Sequence, residues 1–298
     1  IVVRVIAPYL TDKKEDPAVV VLDEEGQNVI SLLSGHIGGA NSLTREIARK
    51  LGGNEVITTA TDLLGQPAFD RLAAELGCEI VPFENLKLAN SRLVNEGSVR
   101  VLTDYDPDVL LNSLGVETEI SLSEKVDFSF IGNMESGKVE ELFSRISEDG
   151  FPVIISARRI MVQGSYLQLV PRILVVGLGS KRGVSSREVE AAVSELIEDL
   201  GLREESIDRF ATVDVKRDEP GIRDFVEETG RPLEIVDRDE IRQSGVEYEE
   251  SEFVKQRIGV GGVCEPAAIL TAKNGKVIAT KRAVGKVTVA AVEESFTS

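Results

Sequence analysis

Residues 173–188 read ILVVGLGSKRGVSSRE, and this stretch decides the fold class. The apolar run Ile173–Val176 has the length of a buried β-strand, and the glycines after it predict a tight turn. Ser185 and Glu188 have the Ser-x-x-Glu spacing of a capping box, so a helix is predicted over Ser186–Leu200. A buried strand that passes through a glycine-rich turn into a helix is the repeating unit of α/β folds.

The same alternation of strands and helices extends over the rest of the sequence. Apolar runs flanked by turn residues predict β-strands at Val2–Ala7, Ala18–Leu22, Asn28–Leu33, Glu55–Thr59, Glu79–Pro82, Ser98–Thr103, Lys125–Ile131, Val153–Ser156, Leu167–Val170, Ile207–Val213, Leu233–Val236, Lys276–Arg282 and Lys286–Val292. Helical periodicity and capping residues predict helices at Ser42–Leu51, Gln66–Leu76, Asn85–Glu96, Pro220–Thr229 and Pro266–Thr271. We therefore predict an α/β protein of three consecutive α/β domains or subdomains, with mixed, substantially parallel sheets and helices on the faces. The predicted domains are residues 1–83, 84–170 and 171–298.

Composition excludes several classes of protein. The chain carries 34 Lys and Arg against 51 Asp and Glu, a formal net charge of −17, whereas a nucleic-acid surface needs a basic face. No run approaches the roughly 18 uninterrupted apolar residues of a membrane span, so we expect neither a membrane partner nor a secretory leader. Cys78 and Cys264 stand far apart, which favours a reducing cytoplasm over a disulfide framework. With a single histidine in the chain, they also make no ordinary zinc site.

Residues 34–41 read SGHIGGAN and contain the one histidine, His36. Histidine is the side chain whose ordinary pKa lies nearest neutrality, and the surrounding glycines allow a ligand to approach the backbone. The helix that follows offers amides and a positive dipole end, which suit an anion or an oxyanion, with Asn41 or Ser42 as its cap. The candidate ligand contacts here are Ser34, Gly35, Gly38, Gly39 and Asn41. The competing interpretation is an exposed histidine in a turn shaped by structural glycines.

Residues 58–62 read TTATD and follow the next predicted strand. The hydroxyls of Thr58, Thr59 and Thr61 are suited to bond the carboxylates of a ligand. Asp62 is suited to orient His36 if the two strands are neighbours. The competing interpretation is a helix cap in an ordinary loop, which is the more frequent use of Asp and Thr at such positions.

The loop Gly177–Gly183 has the form GxGxxxG and loosely matches a dinucleotide fingerprint. Asp214, at the end of the next predicted strand, lies farther along than the ribose-binding acid of that fingerprint. An NAD(P)-binding oxidoreductase is therefore an alternative function. More generally, Gly179, Lys181 and Ser185 are candidate contacts for an anionic ligand.

Two further segments place charged candidates near predicted helix starts. Lys216 precedes a helix, where a cation is no cap, and it is suited to pair with a ligand carboxylate. Residues 259–268 read GVGGVCEPAA, a second glycine-rich turn into a helix, in which Glu265 is either a cap or a general acid. Cys264 has no histidine near it in sequence, so we predict a small buried apolar residue rather than a nucleophile.

The order and spacing of these motifs resemble the cobalamin biosynthesis protein CbiG family. Residues 32–41, LLSGHIGGAN, and residues 57–62, ITTATD, look like its N-terminal domain. Four stretches resemble its C-terminal domain, at residues 177–186, 216–221, 259–268 and 287–290. The middle region is similar by position alone. Family members carry an additional βα stretch before a segment like Ile1–Arg4, so the resemblance implies that the first domain here lacks an upstream stretch.

The resemblance implies hydrolysis of cobalt-precorrin-5A, a step of the anaerobic route to cobalamin. Such an enzyme opens a lactone of the macrocycle with water and releases acetaldehyde to give cobalt-precorrin-5B. The cobalt belongs to the substrate, so the expected partner is a cobalt-corrinoid intermediate, and neither a cofactor nor a metal of the protein's own is expected. A non-catalytic tetrapyrrole-binding protein is a second alternative. The sequence leaves open a homodimer and transient contacts with neighbouring pathway enzymes.

These expectations combine into a mechanism. We predict that His36 is the general base that activates water toward the lactone carbonyl, oriented by Asp62. The amides of residues 38–40 would stabilise the oxyanion, at about 3 kcal/mol for one donor. Glu265 or Lys216 would assist the departure of the acetaldehyde fragment.

Overall fold

The computed structural model of the chain describes residues 2–11, 16–35, 38–57, 69–95, 99–114, 126–132, 134, 136–149, 151–160 and 162–296. Its helices are α1 (Val2–Ile6), α2 (Ala40–Leu51), α3 (Phe69–Glu75), α4 (Leu86–Asn95), α5 (Pro107–Asn112), α6 (Ser136–Asp149), α7 (Ser186–Asp199), α8 (Pro220–Thr229), α9 (Arg238–Ser244), α10 (Glu252–Ile258) and α11 (Cys264–Thr271). Its strands are β1 (Val19–Leu22), β2 (Asn28–Leu33), β3 (Asn54–Val56), β4 (Cys78–Val81), β5 (Val99–Thr103), β6 (Val126–Phe130), β7 (Val153–Ile155), β8 (Leu167–Pro171), β9 (Leu174–Ser180), β10 (Ile207–Val213), β11 (Leu233–Val236), β12 (Lys276–Val284) and β13 (Val287–Glu293). Short 3-10 segments lie at Ala7–Tyr9, Phe83–Asn85, Glu204–Ser206 and Asp214–Lys216.

The described strands form three sheets with helices packed against them, so the predicted α/β class with mixed sheets is confirmed. The chain divides into two compact units. Unit 1 comprises residues 1–154 and 163–169, and unit 2 comprises residues 155–162 and 170–298. The three domain boundaries drawn from the sequence stay a prediction.

One sheet of unit 1 is built on a β-hairpin, in which residues 23–26, DEEG, join β1 to β2. β1 pairs antiparallel with β2, and β2 pairs parallel with β3. α2 connects β2 to β3 and buries Ala40, Thr44 and Ala48. It ends at Gly52, whose φ of 68° is the left-handed conformation that glycine adopts at helix ends without strain. This sheet therefore carries the segment that leads from β2 into α2, where the histidine lies in the sequence.

The second sheet has the strand order β4-β8-β7-β5-β6, and β5 and β6 are parallel. β4 precedes residue 84 in the sequence yet belongs to this sheet. Large fully buried side chains fill the core around it: Phe69, Leu72, Leu93, Leu102 and Phe143. These side chains come from α3, α4, β5 and α6, so this core depends on contacts between segments that are distant in sequence.

Unit 2 is organised around a sheet in the order β11-β10-β9-β13-β12. β11, β10 and β9 are parallel, and the terminal hairpin of β13 and β12 extends the sheet antiparallel. Ala267 and Ala268 of α11 join the buried cluster that contains Ala211 of β10. Since successive strand residues point to opposite faces, Phe210, which contacts Phe225 of α8, places α8 on the other face. Unit 2 is thus a sheet covered by helices on both faces.

Two differences separate the structure from the predicted elements. Val2–Ile6 is helical, so the strand predicted at Val2–Ala7 is wrong. A valine-rich segment favours a strand only where a neighbouring strand provides hydrogen bonds and packing, and this segment pairs with none of the described strands. α5, α6, α9 and α10 lie outside the predicted helices, although Val139, Phe143 and Ile146 of α6 have helical spacing.

None of the described helices has the length and apolar character needed to cross a membrane.

Candidate active site

The predicted N-terminal site lies largely beyond what the structure describes. His36, Thr58, Thr59, Thr61 and Asp62 fall outside the described residues, so their roles and mutual contacts stay predictions. The residues on either side of His36 are described, and their hydrogen bonds limit which groups near the histidine can contact a ligand.

The chain around the histidine segment makes a tight turn into α2. Ser34 has a φ of 54°, and its hydroxyl donates a 2.7 Å hydrogen bond to the carbonyl oxygen of Asp16. The amide of Ala40 donates to the Ser34 carbonyl at 3.1 Å, and the amide of Asn41 donates to the Gly35 carbonyl at 2.9 Å. The first amides of α2 are therefore already bonded within the chain.

The start of α2 differs from the predicted cap. The helix begins after Gly39, whose φ is 79°, and no side chain caps it, so capping by Asn41 or Ser42 is wrong. The Asn41 side chain is instead buried, and its Oδ1 accepts a 2.5 Å hydrogen bond from the Ser31 hydroxyl. The Ala40 amide already donates a hydrogen bond to Ser34. Of the three amides predicted to stabilise the oxyanion, those of the two glycines before Ala40 therefore remain as candidates.

The glycines of β9 serve close packing rather than an open phosphate loop. A Cβ added at Gly177 would overlap the carbonyl oxygen of Cys264 at the start of α11. A Cβ added at Gly179 would overlap the Thr288 hydroxyl and would lie 3.2 Å from the Val263 side chain. Glycine at both positions therefore lets α11 and β13 approach the strand, and protein atoms fill the space above it.

The ribose-binding role considered for Asp214 has no support either. Its carboxylate accepts two hydrogen bonds from Arg238, at 2.7 and 3.1 Å, and Arg238 also donates to the Ile258 carbonyl at 2.8 Å. Burial alone would raise the pKa of the Asp214 carboxyl, but these bonds and the guanidinium charge outweigh burial and lower the pKa. Asp214 thus fixes the loop after β10, and the structure does not support the dinucleotide interpretation.

Lys216 belongs to a largely buried cluster that joins two loops. Its ammonium lies 3.6 Å from Glu219 Oε2, and the two side chains are 14% and 8% exposed. Glu219 Oε1 accepts a 2.7 Å hydrogen bond from the Gly183 amide, so this carboxylate ties the loop after β9 to the loop after β10. A Cβ added at Gly221 would overlap the Val184 carbonyl oxygen, so the first turn of α8 packs directly against the loop after β9. The sequence signal for Glu219 is only its place before a proline at a helix start.

Ser185 and Lys181 differ in whether their side chains are bonded within the chain. Ser185 caps α7, because its hydroxyl accepts from the Glu188 amide at 3.3 Å and the Glu188 carboxylate accepts from the Ser185 amide at 2.9 Å. The predicted capping box is confirmed, and it gives Ser185 a structural partner. Lys181 is exposed, and its amide donates a 2.8 Å hydrogen bond to the Lys286 carbonyl, whereas its ammonium has no hydrogen bond to the described residues. Its ammonium is the more available of the two groups for an anion.

Glu265 is a buried carboxylate in the first turn of α11. It is 4% exposed, and its Oε2 accepts a 3.0 Å hydrogen bond from the Lys281 amide of β12. No ion pair to Glu265 is found within the described ranges, so this amide and the positive end of α11 offset its charge. The adjoining Cys264 is fully buried, as predicted, and burial raises the pKa of its thiol to about 11.

The structure brings the candidates of unit 2 into two clusters rather than one. In the part of the chain that the structure describes, neither a hydrogen bond nor an ion pair joins Lys216 to Glu265. The Lys216 cluster lies in the loop after β10, and Glu265 lies in the first turn of α11, which follows α10. Polar groups near the start of helices that pack on a sheet are typical of α/β proteins that bind small molecules.

Three family models match consecutive parts of the chain. The model for the cobalamin synthesis G N-terminal region matches residues 1–62, the one for the cobalamin biosynthesis central region matches residues 67–171, and the one for the cobalamin synthesis G C-terminus matches residues 174–292. The chain belongs to the cobalamin synthesis G family, and the resemblance drawn from the motifs is confirmed.

Two curated relatives share this family and most of the chain. A cobalt-precorrin-5A hydrolase of Priestia megaterium is 32% identical over 301 residues, covering 97% of this chain and 74% of the relative. A cobalt-precorrin-5A hydrolase of Salmonella typhimurium is 32% identical over 273 residues, covering 91% of this chain and 73% of the relative.

Two solved structures are also similar. CobE, a protein from the cobalamin (vitamin B12) biosynthetic pathway, is 23% identical with a TM-score of 0.39, covering 42% of this chain and 93% of that chain. A cobalamin biosynthesis protein G homolog from Sulfolobus solfataricus is 24% identical with a TM-score of 0.36, covering 99% of this chain and 79% of that chain.

Proposed function

We propose that this chain is a cobalt-precorrin-5A hydrolase of anaerobic cobalamin biosynthesis. The observation that carries the proposal is the extent of the similarity. Two curated relatives with that name are each about one third identical to this chain, over 97% and 91% of its length. The substrate is a cobalt-corrinoid intermediate that brings its own cobalt, so the proposal gives the protein no metal or cofactor.

The proposed reaction has two stages. Water adds to the lactone carbonyl, and the ring oxygen leaves as a hydroxyl on the carbon that bears the methyl group. That hydroxyl then loses its proton while the bond from its carbon to the macrocycle breaks. The carbon leaves as acetaldehyde, and the electron pair of the broken bond stays on the macrocycle, which takes up a proton. Each stage needs a group that moves a proton and a site that holds a transient negative charge.

In the proposal, His36 is the general base of the first stage and Asp62 orients it. The hydroxyls of Thr58, Thr59 and Thr61 hold substrate carboxylates. The oxyanion takes hydrogen bonds from the glycine amides that precede Ala40, since the Ala40 amide itself is bonded to Ser34. The remaining N-terminal contacts in the proposal are the backbone of Gly35, Gly38 and Gly39 and the polar groups of Ser34. Asn41, which is buried and bonded to Ser31, holds the segment in place rather than the substrate.

Glu265 is the proposed proton-transfer group for the departure of acetaldehyde. Its support is chemical, because it is a carboxylate with 4% exposure that has no salt-bridge partner among the described residues. Lys216 is proposed to bind a substrate carboxylate instead, since its ammonium already faces Glu219 and is suited to a charge-paired role. Lys181 is the remaining proposed substrate contact of unit 2, because its side chain is exposed, whereas Gly179 packs against Thr288 and Val263 and Ser185 caps α7.

The deciding experiment is anaerobic incubation of the purified chain with cobalt-precorrin-5A, with acetaldehyde and the ring-opened corrinoid measured together. We expect stoichiometric acetaldehyde from the unchanged chain and at least a hundredfold slower release from His36→Ala. Arg49→Ala, an exposed change on α2, is the matched control and should keep the rate. Corrinoid binding without acetaldehyde would support the non-catalytic carrier instead. Normal release by His36→Ala would exclude the histidine as the base.

We also propose a cellular location and an assembly for the enzyme. A cytoplasmic location fits two cysteines without a paired spacing. A homodimer and transient contacts with neighbouring pathway enzymes are proposed as its assembly, to be tested by the mass of the chain in solution with and without those enzymes.

A further inference from the structure

The carboxylate of Glu265 is oriented by the edge strand of the unit 2 sheet. Its Oε2 accepts a 3.0 Å hydrogen bond from the Lys281 amide of β12, and the described residues give this carboxylate no other hydrogen bond. Glu265 is 4% exposed, so water supplies few of the bonds that a carboxylate otherwise accepts. The direction in which the carboxylate points therefore depends on where the Lys281 amide lies.

The strand β12 is irregular at this amide. Ala279 pairs with Ala291 and Arg282 pairs with Val289, so three steps along β12 match two steps along β13. This is the mismatch of a β-bulge, in which an extra residue leaves the ladder and the strand bends. Lys281 lies inside the bulge, and its amide donates to α11 rather than to β13.

The side chain of Lys281 fastens the bulge to the loop before α10, residues 245–251. Its ammonium lies 3.0 Å from Glu249 Oε1 and 3.5 Å from the Glu249 carbonyl oxygen. The Lys281 side chain is 22% exposed and that of Glu249 is 64% exposed, so the lysine is the more covered member of the pair. Two oxygens of one residue hold the ammonium, which restrains the backbone that carries the amide.

The loop before α10 is itself anchored at the start of α11. The Ser251 amide donates to the Gly261 carbonyl at 2.8 Å, and Tyr248 packs against the buried cluster between α11 and β10. A Cβ added at Gly262 would lie 3.0 Å from the Tyr248 ring and 3.2 Å from Pro266. The lysine is therefore tethered to a closely packed part of unit 2.

We propose that Lys281 is a positioning residue for Glu265. Its backbone amide orients the carboxylate, and its ion pair with Glu249 holds the bulge that presents this amide. The inference rests on the function proposed above, in which Glu265 transfers a proton as acetaldehyde leaves. Proton transfer needs donor and acceptor atoms within about 2.6–3.2 Å, so a small displacement of the carboxylate slows the chemical step without weakening substrate binding.

The kinetic test removes the ammonium and keeps the amide. Lys281→Met should lower kcat for acetaldehyde release about tenfold with KM unchanged, because the loosened bulge no longer holds the carboxylate in place. Lys281→Arg, which can still pair with Glu249, should restore most of the rate. Lys276→Met, an exposed change at the start of the same strand, is the matched control and should keep both constants.

A double substitution separates positioning from a general loss of stability. In the Glu265→Gln background, Lys281→Met should cause no further loss of kcat, because the carboxylate that it positions is already gone. The proposal is overturned if Lys281→Met slows release by the same factor in both backgrounds, or if it leaves the rate of the otherwise unchanged chain as it was.

Amide hydrogen exchange checks the contact without depending on the reaction. In the isotope-labelled full chain, the Lys281 amide should exchange slowly, stay slow in Glu265→Gln, and exchange at least about tenfold faster in Glu265→Ala. The Lys181 amide, which is bonded to the Lys286 carbonyl, is the reference and should not change. Fast exchange at Lys281 in the unchanged chain would contradict the contact. If that chain releases no acetaldehyde while the exchange is as expected, the function proposed above is overturned and the contact is upheld.

Discussion

Gly177 lies so close to the carbonyl of Cys264 that no side chain fits between β9 and the first turn of α11. Two residues along the same strand, Gly179 lies so close to Thr288 and Val263 that a side chain would overlap them as well. The pair therefore sets the distance between the central strand of unit 2 and the helix that carries Glu265. A motif that loosely matches a nucleotide fingerprint has here a packing role, and the position of a candidate catalytic carboxylate depends on it.

Gly177→Ala should destabilise unit 2 by at least about 2–3 kcal/mol, because a methyl group would displace a backbone carbonyl rather than a flexible side chain. Urea unfolding at neutral pH measures the change. Gly137→Ala in α6 is the matched control, since among the described residues no heavy atom beyond its chain neighbours and its own helix backbone lies within 4 Å of the added methyl group. There the helix should gain about 0.5–1 kcal/mol. If Gly177→Ala unfolds at the same urea concentration as the unchanged chain, α11 does not pack on β9 in this way.

The two cysteines should differ sharply in reactivity. Burial raises the pKa of the Cys264 thiol to about 11, so at pH 8 only about one molecule in a thousand carries the reactive thiolate there. Cys78 is only partly buried. A chromogenic disulfide reagent at pH 8 should therefore label about one thiol per native chain quickly and both in denaturant.

The Cys78→Ser variant is the control for this assignment. It should show no fast label in the native state and one label after unfolding. Fast labelling of native Cys78→Ser would mean that Cys264 is accessible, and the packing around α11 would need revision.

The parts of the fold that the sequence predicts are those whose signals are local. The bounds of α8 at Pro220 and Thr229 agree with the prediction, because a proline opens the helix and Gly230, in the left-handed conformation, closes it. β10 and β11 also agree, since continuous apolar runs between turn residues specify buried strands. The first segment fails for the converse reason. Its valines favour a strand, but a strand needs a partner that composition does not reveal.

The site was predictable in residue type but not in arrangement. The sequence identifies the glycines of β9 and the acid in α11, yet it does not show that Gly177 faces Cys264, because that contact joins segments far apart in the chain. Glu219 is the clearest omission. Its place before Pro220 predicts only a helix start, whereas its buried carboxylate bonds the Gly183 amide and faces Lys216. Charge pairing between distant loops depends on the tertiary structure, so no local sequence pattern predicts it.

The pair of Asp214 and Arg238 should make stability depend on pH in the acid range. The pKa of Asp214 is lowered in the folded state relative to an unfolded value of about 3.9. Its contribution is therefore fully present above that unfolded value and is lost as the pH falls through the lower folded value. Asp214→Asn should cost about 1–2 kcal/mol at pH 7, and this difference should shrink toward zero in strong acid.

Urea unfolding at pH 7, 5, 4 and 3 would measure this dependence. Asp224→Asn is the matched control, because Asp224 is exposed on α8 and its change should leave the pH profile as it was. A difference between Asp214→Asn and the unchanged chain that stays constant down to pH 3 would contradict the assignment.

Glu265→Gln should keep the fold and lose the reaction. The glutamine amide oxygen can still accept the Lys281 amide hydrogen, so the packing of α11 should survive with little change in the melting temperature. The side chain can no longer exchange a proton with the substrate, so we expect kcat for acetaldehyde release to fall by about a hundredfold or more with little change in KM. Glu234→Gln, an exposed change on β11, is the matched control and should keep both constants.

The pH profile distinguishes proton transfer from a purely structural role for Glu265. If the carboxyl group moves a proton, the limb of the kcat profile that it controls should disappear in Glu265→Gln. Glu265→Asp, which keeps a carboxyl group at a shorter reach, should restore part of the rate and that limb. A Glu265→Gln variant that folds and releases acetaldehyde at the unchanged rate would leave the carboxylate with a structural role alone. The search for the second proton-transfer group would then move to Lys216, whose ammonium lies 3.6 Å from Glu219 in the other polar cluster of unit 2.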